Sequence, residues 1–171
     1  AEPSQVVEPA TPPDQQAESS APAQITTASR FSTSDVPAYS GKAYTSVNGN
    51  VPYFSAAELA TQSFETYSDL DSLGRCGVTY ACIGKDLMPT EERGSIGMVK
   101  PTGWHTVRYD DLVDGKYLYN RCHLIGYQLT GENANTKNLI TGTRYLNIEG
   151  MLPFENMVAD YIQETNNHLL Y

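Results

Sequence analysis

The residues best suited to chemistry lie between positions 120 and 155. The run Asn120-Arg121-Cys122-His123 places an arginine two residues before a histidine, and Asn147 and Glu155 follow 24 and 32 residues after that histidine. A large share of imidazole side chains is neutral near pH 7, so a histidine there can accept a proton from water. Amide and carboxylate oxygens suit a hard divalent cation. This combination favours attack of an activated water on a phosphodiester beside a bound metal ion.

The spacing of these residues resembles that of the DNA/RNA non-specific endonuclease family, a branch of the ββα-metal (His-Me finger) nucleases. Many members carry Asp-Arg-Gly-His where this chain has residues 120–123. Secreted Gram-positive members read Asn-Arg-Cys-His or Asn-Arg-Ser-His, which is the more similar pattern. The resemblance extends from about Thr66 to the C-terminus and covers none of residues 1–40.

The resemblance implies a role for each residue at a matching offset. His123 matches the general base, Asn147 the metal-binding asparagine, and Glu155 a glutamate that orients metal-bound water. Arg121 matches an arginine that offers its guanidinium to a phosphate oxygen or fixes the local backbone through a carboxylate. Asn138 matches a supporting active-site asparagine, which would hold either the local loop or the site water. The implied metal is Mg²⁺, which Mn²⁺ would be able to replace.

Two further readings of these side chains stay open at this point. Arg93, within the run Glu91-Glu92-Arg93-Gly94-Ser95, is a candidate second phosphate contact, and a surface ion pair is the alternative. Glu155 near the start of a predicted helix would also complement the helix dipole.

The resemblance implies a secreted or cell-surface endonuclease that cleaves both DNA and RNA and leaves 5′-phosphates. Two other classes of protein remain. One is a catalytically inactive binding module on the same scaffold. The other is the toxin domain of a secretion system, whose partner would be an immunity protein. The sequence leaves the oligomeric state undetermined.

The charge of the chain is unexpected for a protein that binds polyphosphate. The formal net charge is −9, from 11 basic and 20 acidic residues, and residues 41–171 alone carry 10 basic and 15 acidic residues. Phosphate binding therefore depends on a local positive field and on the charge of a metal ion. We expect weak, salt-sensitive binding of the substrate.

Composition divides the chain into two parts. Residues 1–36 are rich in Pro, Ala, Ser, Gln and Glu, which predicts a disordered tether, and residues 37–171 are predicted to form the nuclease domain. No apolar run of 18 residues occurs, so no membrane span is predicted. The apolar ending Leu169-Leu170-Tyr171 suggests a domain truncated at its C-terminus.

The resemblance implies an α+β fold, a ββα-metal core with a mainly antiparallel sheet and flanking helices, and the patterning of the chain places its elements. Strands are predicted at 51–54, 77–83, 106–109 and 116–125, with a turn at 110–115 between the last two. Ser55 and Glu58 have the spacing of a capping box. A helix is predicted to begin or restart near Pro153. Its apolar face would consist of Phe154, Met157, Val158, Tyr161 and Ile162.

The three cysteines allow several outcomes. Cys76 and Cys82 would lie on one face of the same strand, too far apart along it to bond. A bond from Cys122 to one of them requires neighbouring strands, and three free thiols are the favoured alternative. A zinc site built from these cysteines and His123 is disfavoured, because no Cys-x₂-Cys pair exists.

Overall fold

Two antiparallel sheets organise residues 32–171, the part of the chain that this computed structural model describes. The first sheet has the strand order β1-β2-β5. Its strands are β1 (Phe64–Tyr67), β2 (Thr79–Ile83) and β5 (Leu169–Leu170). Strand β5 extends the ladder to the end of the chain, where the backbone of Tyr171 exchanges two hydrogen bonds with that of Ala81.

The second sheet carries the histidine motif. Its strands are β3 (Tyr119–His123) and β4 (Leu139–Thr143), with Arg121 opposite Thr141 and His123 opposite Leu139. Gly142 is required where β3 and β4 pack together, because a Cβ atom there would lie 2.7 Å from the sulfur of Cys122. Since side chains alternate along a strand, Arg121 and His123 share one face and Cys122 points to the other.

The helical elements follow β3 and β4. A short helix α1 (Tyr127–Thr130) comes after β3, and a π-helical turn (Leu146–Met151) leads into the main helix α2 (Leu152–Thr165). Pro153 lies in the first turn of α2, where its missing N–H is tolerated. The wider turn before it produces the interruption that the sequence predicts near Pro153.

The core lies between β2, α1 and α2. Its buried members are aliphatic side chains from all three elements and from the segment between β3 and α1. They are Ala81, Ile83, Ile125, Leu129, Ala159 and Ile162. Helix α2 is therefore fixed to the core through Val158, Ala159 and Ile162.

Helix α2 buries a different face from the one predicted. Ile162 is fully buried and Val158 packs on the core, but Phe154, Met157 and Tyr161 are 40%, 63% and 40% exposed. The buried stripe instead runs through Ala159. The Phe154 ring makes an edge contact with the ring of Tyr44, with 5.0 Å between the ring centroids. This side of α2 therefore packs on the N-terminal loop that contains Tyr44.

Other strand predictions were partly wrong. Residues 51–54 form no strand, although the capping box from Ser55 to Glu58 is present in a single 3₁₀ turn, Ala56–Glu58. The predicted 106–109 and 116–125 pair is reduced to one bridge between Arg108 and Tyr117, and regular pairing begins at Tyr119.

The predicted tether falls mainly outside the described residues. Within 32–36 the backbone forms one exposed turn, Thr33–Asp35, capped by Ser32. No helix in the described part of the chain combines the length and the apolar character that crossing a membrane requires.

The cysteines are free thiols, and burial raises the pKa of Cys122 to about 11. Cys122 is therefore protonated and unreactive at neutral pH. Within residues 32–171 no group of three His, Cys, Asp or Glu side chains has the arrangement of a metal site.

Candidate active site

A pocket of about 290 Å³ at the start of α2 collects five of the six candidate residues. We call it the catalytic pocket. Its lining includes Arg93, Arg121, His123, Asn147 and Glu155. These residues come from a loop, from β3, from the π-helical turn and from α2, so the tertiary fold brings together groups that are up to 62 residues apart in sequence.

The ring of His123 is oriented by a backbone carbonyl. Its Nε2 lies 2.7 Å from the carbonyl oxygen of Asn133, and the side chain is only 6% exposed. A carbonyl only accepts hydrogen bonds, so Nε2 carries the proton in the neutral ring and Nδ1 carries the lone pair. Burial, followed by the positive charge of Arg93, lowers the pKa of His123 below its ordinary value. The neutral, proton-accepting form is therefore favoured.

The loop that carries Arg93 packs against the loop that carries Asn133, whose carbonyl contacts the His123 ring. The Asn133 amide donates to the carbonyl of Ser95 at 3.4 Å, and a Cβ atom on Gly94 would lie 2.8 Å from that amide. Arg93 makes no ion pair with any described residue, so the predicted surface ion pair is not found within 32–171. Arg93 lines the catalytic pocket, where its positive charge acts on Glu155 and His123.

Asn138 lies outside the catalytic pocket. Its side chain is fully buried, accepts from the backbone N–H of Ile125 at 2.8 Å and donates to the carbonyl of Ile125 at 2.9 Å. Both ends of the amide are thus occupied by the segment just after His123. Of the two roles that the sequence allows, these contacts support holding the local loop rather than a site water.

Asn147 presents its amide to the catalytic pocket from the π-helical turn. None of the described residues is hydrogen bonded to this side chain, and its backbone carbonyl accepts from Leu152. π-helical turns inside helices often occur at functional sites because they redirect side chains. The Asn147 amide oxygen is accordingly available as a ligand.

Glu155 faces the same pocket from the first turn of α2. Burial raises the pKa of its carboxyl group, and the charge of Arg93 and a hydrogen bond from Gln128 oppose that shift. Gly126 makes room for this carboxylate, because a Cβ atom there would lie 2.8 Å from Oε2 of Glu155. Gln128 also donates to Asn156 at 3.0 Å, so the side chain beside the carboxylate is itself held in place.

Arg121 is anchored by backbone rather than by a carboxylate. Its guanidinium donates to the carbonyls of Gly97 (3.0 Å) and Val99 and lies over the Trp104 ring, with Cζ 3.7 Å from the ring centroid. Of the two alternatives for Arg121, fixing the backbone through a carboxylate is not found within residues 32–171, because its guanidinium bonds to carbonyls directly. A guanidinium has five N–H donors, so three remain for a phosphate. The group is held rigidly at the edge of the catalytic pocket.

Several residues that shape the site were not identified from the sequence. They are Gly126, Gln128, Asn133 and Trp104. Only Gly126 had a signal in the sequence, because a glycine three residues after His123 indicates a close approach of another group to the backbone.

We expect Gly126→Ala to lower cleavage while leaving the melting temperature nearly unchanged. The new methyl group would displace the Glu155 carboxylate, which is the flexible end of a side chain and moves at small energetic cost. The measurement is a comparison of Gly126→Ala, Glu155→Gln and the double variant. If the methyl group acts through the carboxylate, the double variant falls no further than Glu155→Gln alone. Additive losses would contradict this explanation.

Comparison with solved structures shows the same fold. The chain aligns with NucA from Streptococcus agalactiae, solved with a magnesium ion bound and with no metal bound, at a TM-score of 0.57 and 21% identity over 69% of this chain. The Sda1 nuclease, solved with a zinc ion bound, aligns at a TM-score of 0.48 and 26% identity over 60% of this chain. The chain spans 58% of NucA and 57% of Sda1. None of the curated proteins matches it.

A family model supplies the assignment. The model described as DNA/RNA non-specific endonuclease matches residues 55–171, which include both sheets, the π-helical turn and α2. The match covers more than half of the chain and contains every residue of the catalytic pocket named above. This chain belongs to the DNA/RNA non-specific endonuclease family.

Proposed function

We propose that this chain is a metal-dependent endonuclease that hydrolyses phosphodiester bonds in DNA and RNA. The proposal rests on one observation: a histidine in its neutral form and an asparagine amide with no hydrogen-bond partner among the described residues both line the catalytic pocket. His123 has its ring oriented by the Asn133 carbonyl, and Asn147 presents its amide to the same pocket. Membership of the endonuclease family supports the reaction class.

The donor set fits Mg²⁺ as the resident metal. Mg²⁺ keeps several waters and takes one or two protein oxygen ligands plus substrate phosphate, which agrees with a single amide and a nearby carboxylate. Asn147 would hold the ion, and Glu155 would accept hydrogen bonds from its waters. When bound, the ion would stabilise negative charge on the phosphate as a Lewis acid. The solved NucA structure of the same fold holds a magnesium ion.

The protein groups supply proton transfer and orientation. Nδ1 of His123 takes a proton from the attacking water, because Nε2 is occupied by the Asn133 carbonyl. Arg121 places its remaining N–H donors on a phosphate oxygen, and its anchoring to Gly97 and Val99 reduces the entropy lost on binding. Arg93 provides the second positive charge, since none of the described residues pairs with it.

The same groups account for low sequence preference. Arg93 and Arg121 suit contacts to phosphate oxygens, which position a nucleic acid without reading its bases.

The direct test of the proposed function is to incubate the purified chain with plasmid DNA and with a ribosomal RNA, each with Mg²⁺ and with excess EDTA. Cleavage of both substrates in Mg²⁺ supports the proposal, and an inactive binding module would cleave neither. The resemblance to secreted members supports an extracellular site of action.

Cleavage should decline as the pH is lowered, because protonated His123 cannot accept a proton. Burial lowers the pKa of His123, so half of kcat/KM should be lost below the ordinary value of about 6.5. The raised pKa of Glu155 also leads to loss of activity on the acid side, since the carboxylate becomes neutral earlier than an exposed glutamate. The measurement is kcat/KM from about pH 4 to 9 at saturating Mg²⁺. A midpoint above the ordinary histidine value would contradict the assignment.

A further inference from the structure

A second pocket, of about 540 Å³, adjoins the catalytic pocket and shares Arg93, Arg121 and Asn147 with it. We call it the aromatic pocket, because its other walls include the rings of Trp104, Tyr117 and Tyr119. Its volume lies within the range of small-molecule sites, about 300–1,000 Å³. The aromatic pocket is large enough to hold a flat heterocycle.

The aromatic rings lie in line with the catalytic groups. Tyr117 and Tyr119 precede Arg121 and His123 at alternate positions of one extended segment, whose strand pairing begins at Tyr119. Alternate side chains of a strand share a face and are separated by about 6.8 Å along it. The order along this face is two tyrosine rings, a guanidinium and an imidazole. Tyr117 is tied to the neighbouring segment by its bridge to Arg108.

The pocket walls are held in place before any ligand binds. The Arg121 guanidinium covers one face of the Trp104 ring at 3.7 Å, and the His105 ring lies 4.7 Å from the ring of Tyr119. The backbone N–H of Trp104 also donates to the carbonyl of Pro101 at 2.9 Å, which fixes the turn that carries the ring. Because these contacts restrict the side chains already, little rotamer freedom is lost when a ligand enters.

The net negative charge of the chain implies that part of its affinity for nucleic acid comes from contacts that do not depend on salt. Residues 41–171 carry an excess of five acidic residues, and half of their ten basic residues are in ion pairs. The paired residues are Arg75, Arg108, Lys116, Lys137 and Arg144. The five unpaired basic residues include Arg93 and Arg121, which both line the aromatic pocket, so the salt-dependent phosphate contacts are concentrated there. Stacking of bases on aromatic side chains supplies affinity without charge and without sequence preference.

We propose that the aromatic pocket binds an unpaired nucleobase of a single-stranded nucleic acid, stacked on Tyr117 and Tyr119, while the adjoining phosphate contacts Arg121. This inference deepens the proposed function and rests on it for the position of the scissile phosphate. Binding itself requires no cleavage. A base inside a duplex is already stacked and paired, so the pocket favours single strands over duplexes.

The experiment uses Trp104, the single tryptophan of the chain, as its reporter. The full chain in EDTA is titrated with a thymidine dodecamer, with an abasic dodecamer of the same backbone, and with a blunt duplex of the same length. We expect saturable quenching of Trp104 fluorescence by the thymidine strand and weaker binding of both other ligands. Tyr117→Ala should weaken binding of the thymidine strand about 5- to 150-fold, the range for loss of one stacked base.

Tyr109→Ala is the matched control. Tyr109 lies on the same segment as the bridge residue Arg108, is 43% exposed against 48% for Tyr117, and does not line the aromatic pocket. Equal affinity for the thymidine and abasic strands would overturn the proposal. So would an absence of saturable quenching, or equal losses in Tyr109→Ala and Tyr117→Ala.

The outcome is separable from that of the proposed function. Titration in EDTA measures binding alone, and plasmid digestion in Mg²⁺ measures cleavage alone. A chain that binds the thymidine strand with the expected Tyr117 dependence but does not cleave would retain the base-binding pocket and lose the nuclease assignment. A chain that cleaves plasmid but binds the thymidine and abasic strands equally would keep the nuclease assignment and lose the base-binding pocket.

Discussion

Replacing His123 with alanine is expected to lower the rate of DNA cleavage by about 10²–10⁴-fold, the usual effect of removing a general base. The substitution removes the Nδ1 lone pair, and no other histidine of the described chain lines the catalytic pocket. The measurement is the initial rate of cleavage of a fluorescently labelled DNA at saturating Mg²⁺. Circular dichroism of both proteins separates loss of catalysis from loss of fold.

His168→Ala is the matched control for this prediction. His168 lies near Asp86 and lines neither pocket of the site, so its removal should leave the rate within a few-fold of wild type. Added imidazole should restore part of the activity of His123→Ala, because the deleted ring leaves space beside the Asn133 carbonyl. A His123→Ala variant with nearly full activity would remove His123 from the role of base.

Replacing Asn147 with alanine is expected to abolish cleavage at millimolar Mg²⁺ and to weaken binding of the ion. Loss of a residue that merely supports a metal ligand costs about 10- to 100-fold in affinity, so loss of a ligand should cost at least about 10-fold. The substitution removes no hydrogen bond of the described fold, because the amide has no partner there. The measurement is Mg²⁺ binding by calorimetry, together with cleavage as a function of Mg²⁺ concentration.

Asn147→Asp tests whether an oxygen ligand at this position is sufficient for Mg²⁺ binding. It keeps an oxygen ligand at the same position, so Mg²⁺ binding should persist even if the added negative charge weakens substrate binding. An Asn147→Ala variant that cleaves with an unchanged Mg²⁺ dependence would exclude Asn147 from the metal site.

The sequence allowed the convergence of His123, Asn147 and Glu155 to be predicted. Their spacing resembles the family pattern, and the structure places all three on one pocket. The strand before His123 and the restart of a helix near Pro153 were also predictable. These features depend on local pattern and on the restrictions that proline imposes, which act within a few residues.

Contacts between distant segments were not predictable from one sequence. Nothing in the run 120–123 indicates that Arg121 is held by carbonyls of residues 97 and 99, or that its guanidinium covers Trp104. The same is true of Gly126, whose missing Cβ atom makes room for a carboxylate 29 residues away. Each of these contacts depends on how loops pack, which periodicity does not encode.

The face of α2 shows a further limit of periodicity. The spacing of Phe154, Met157 and Tyr161 is correct for an amphipathic helix, yet these side chains are largely exposed and Ala159 occupies the core position. Two apolar stripes exist on this helix, and the sequence does not state which one meets the sheet. Phe154 meets Tyr44 instead, a residue in a loop with no regular pattern.

The central claim is that this chain hydrolyses phosphodiesters with a divalent metal and with His123 as the base. The most direct test is the rate of nicking of supercoiled plasmid by the purified chain, first in excess EDTA, then after addition of Mg²⁺ above the EDTA concentration. We predict no nicking in EDTA, rapid nicking once Mg²⁺ is in excess, and a rate at least about 10²-fold lower for His123→Ala under the same conditions. Nicking that persists in EDTA, or an equal rate in the wild-type chain and His123→Ala, would contradict the mechanism.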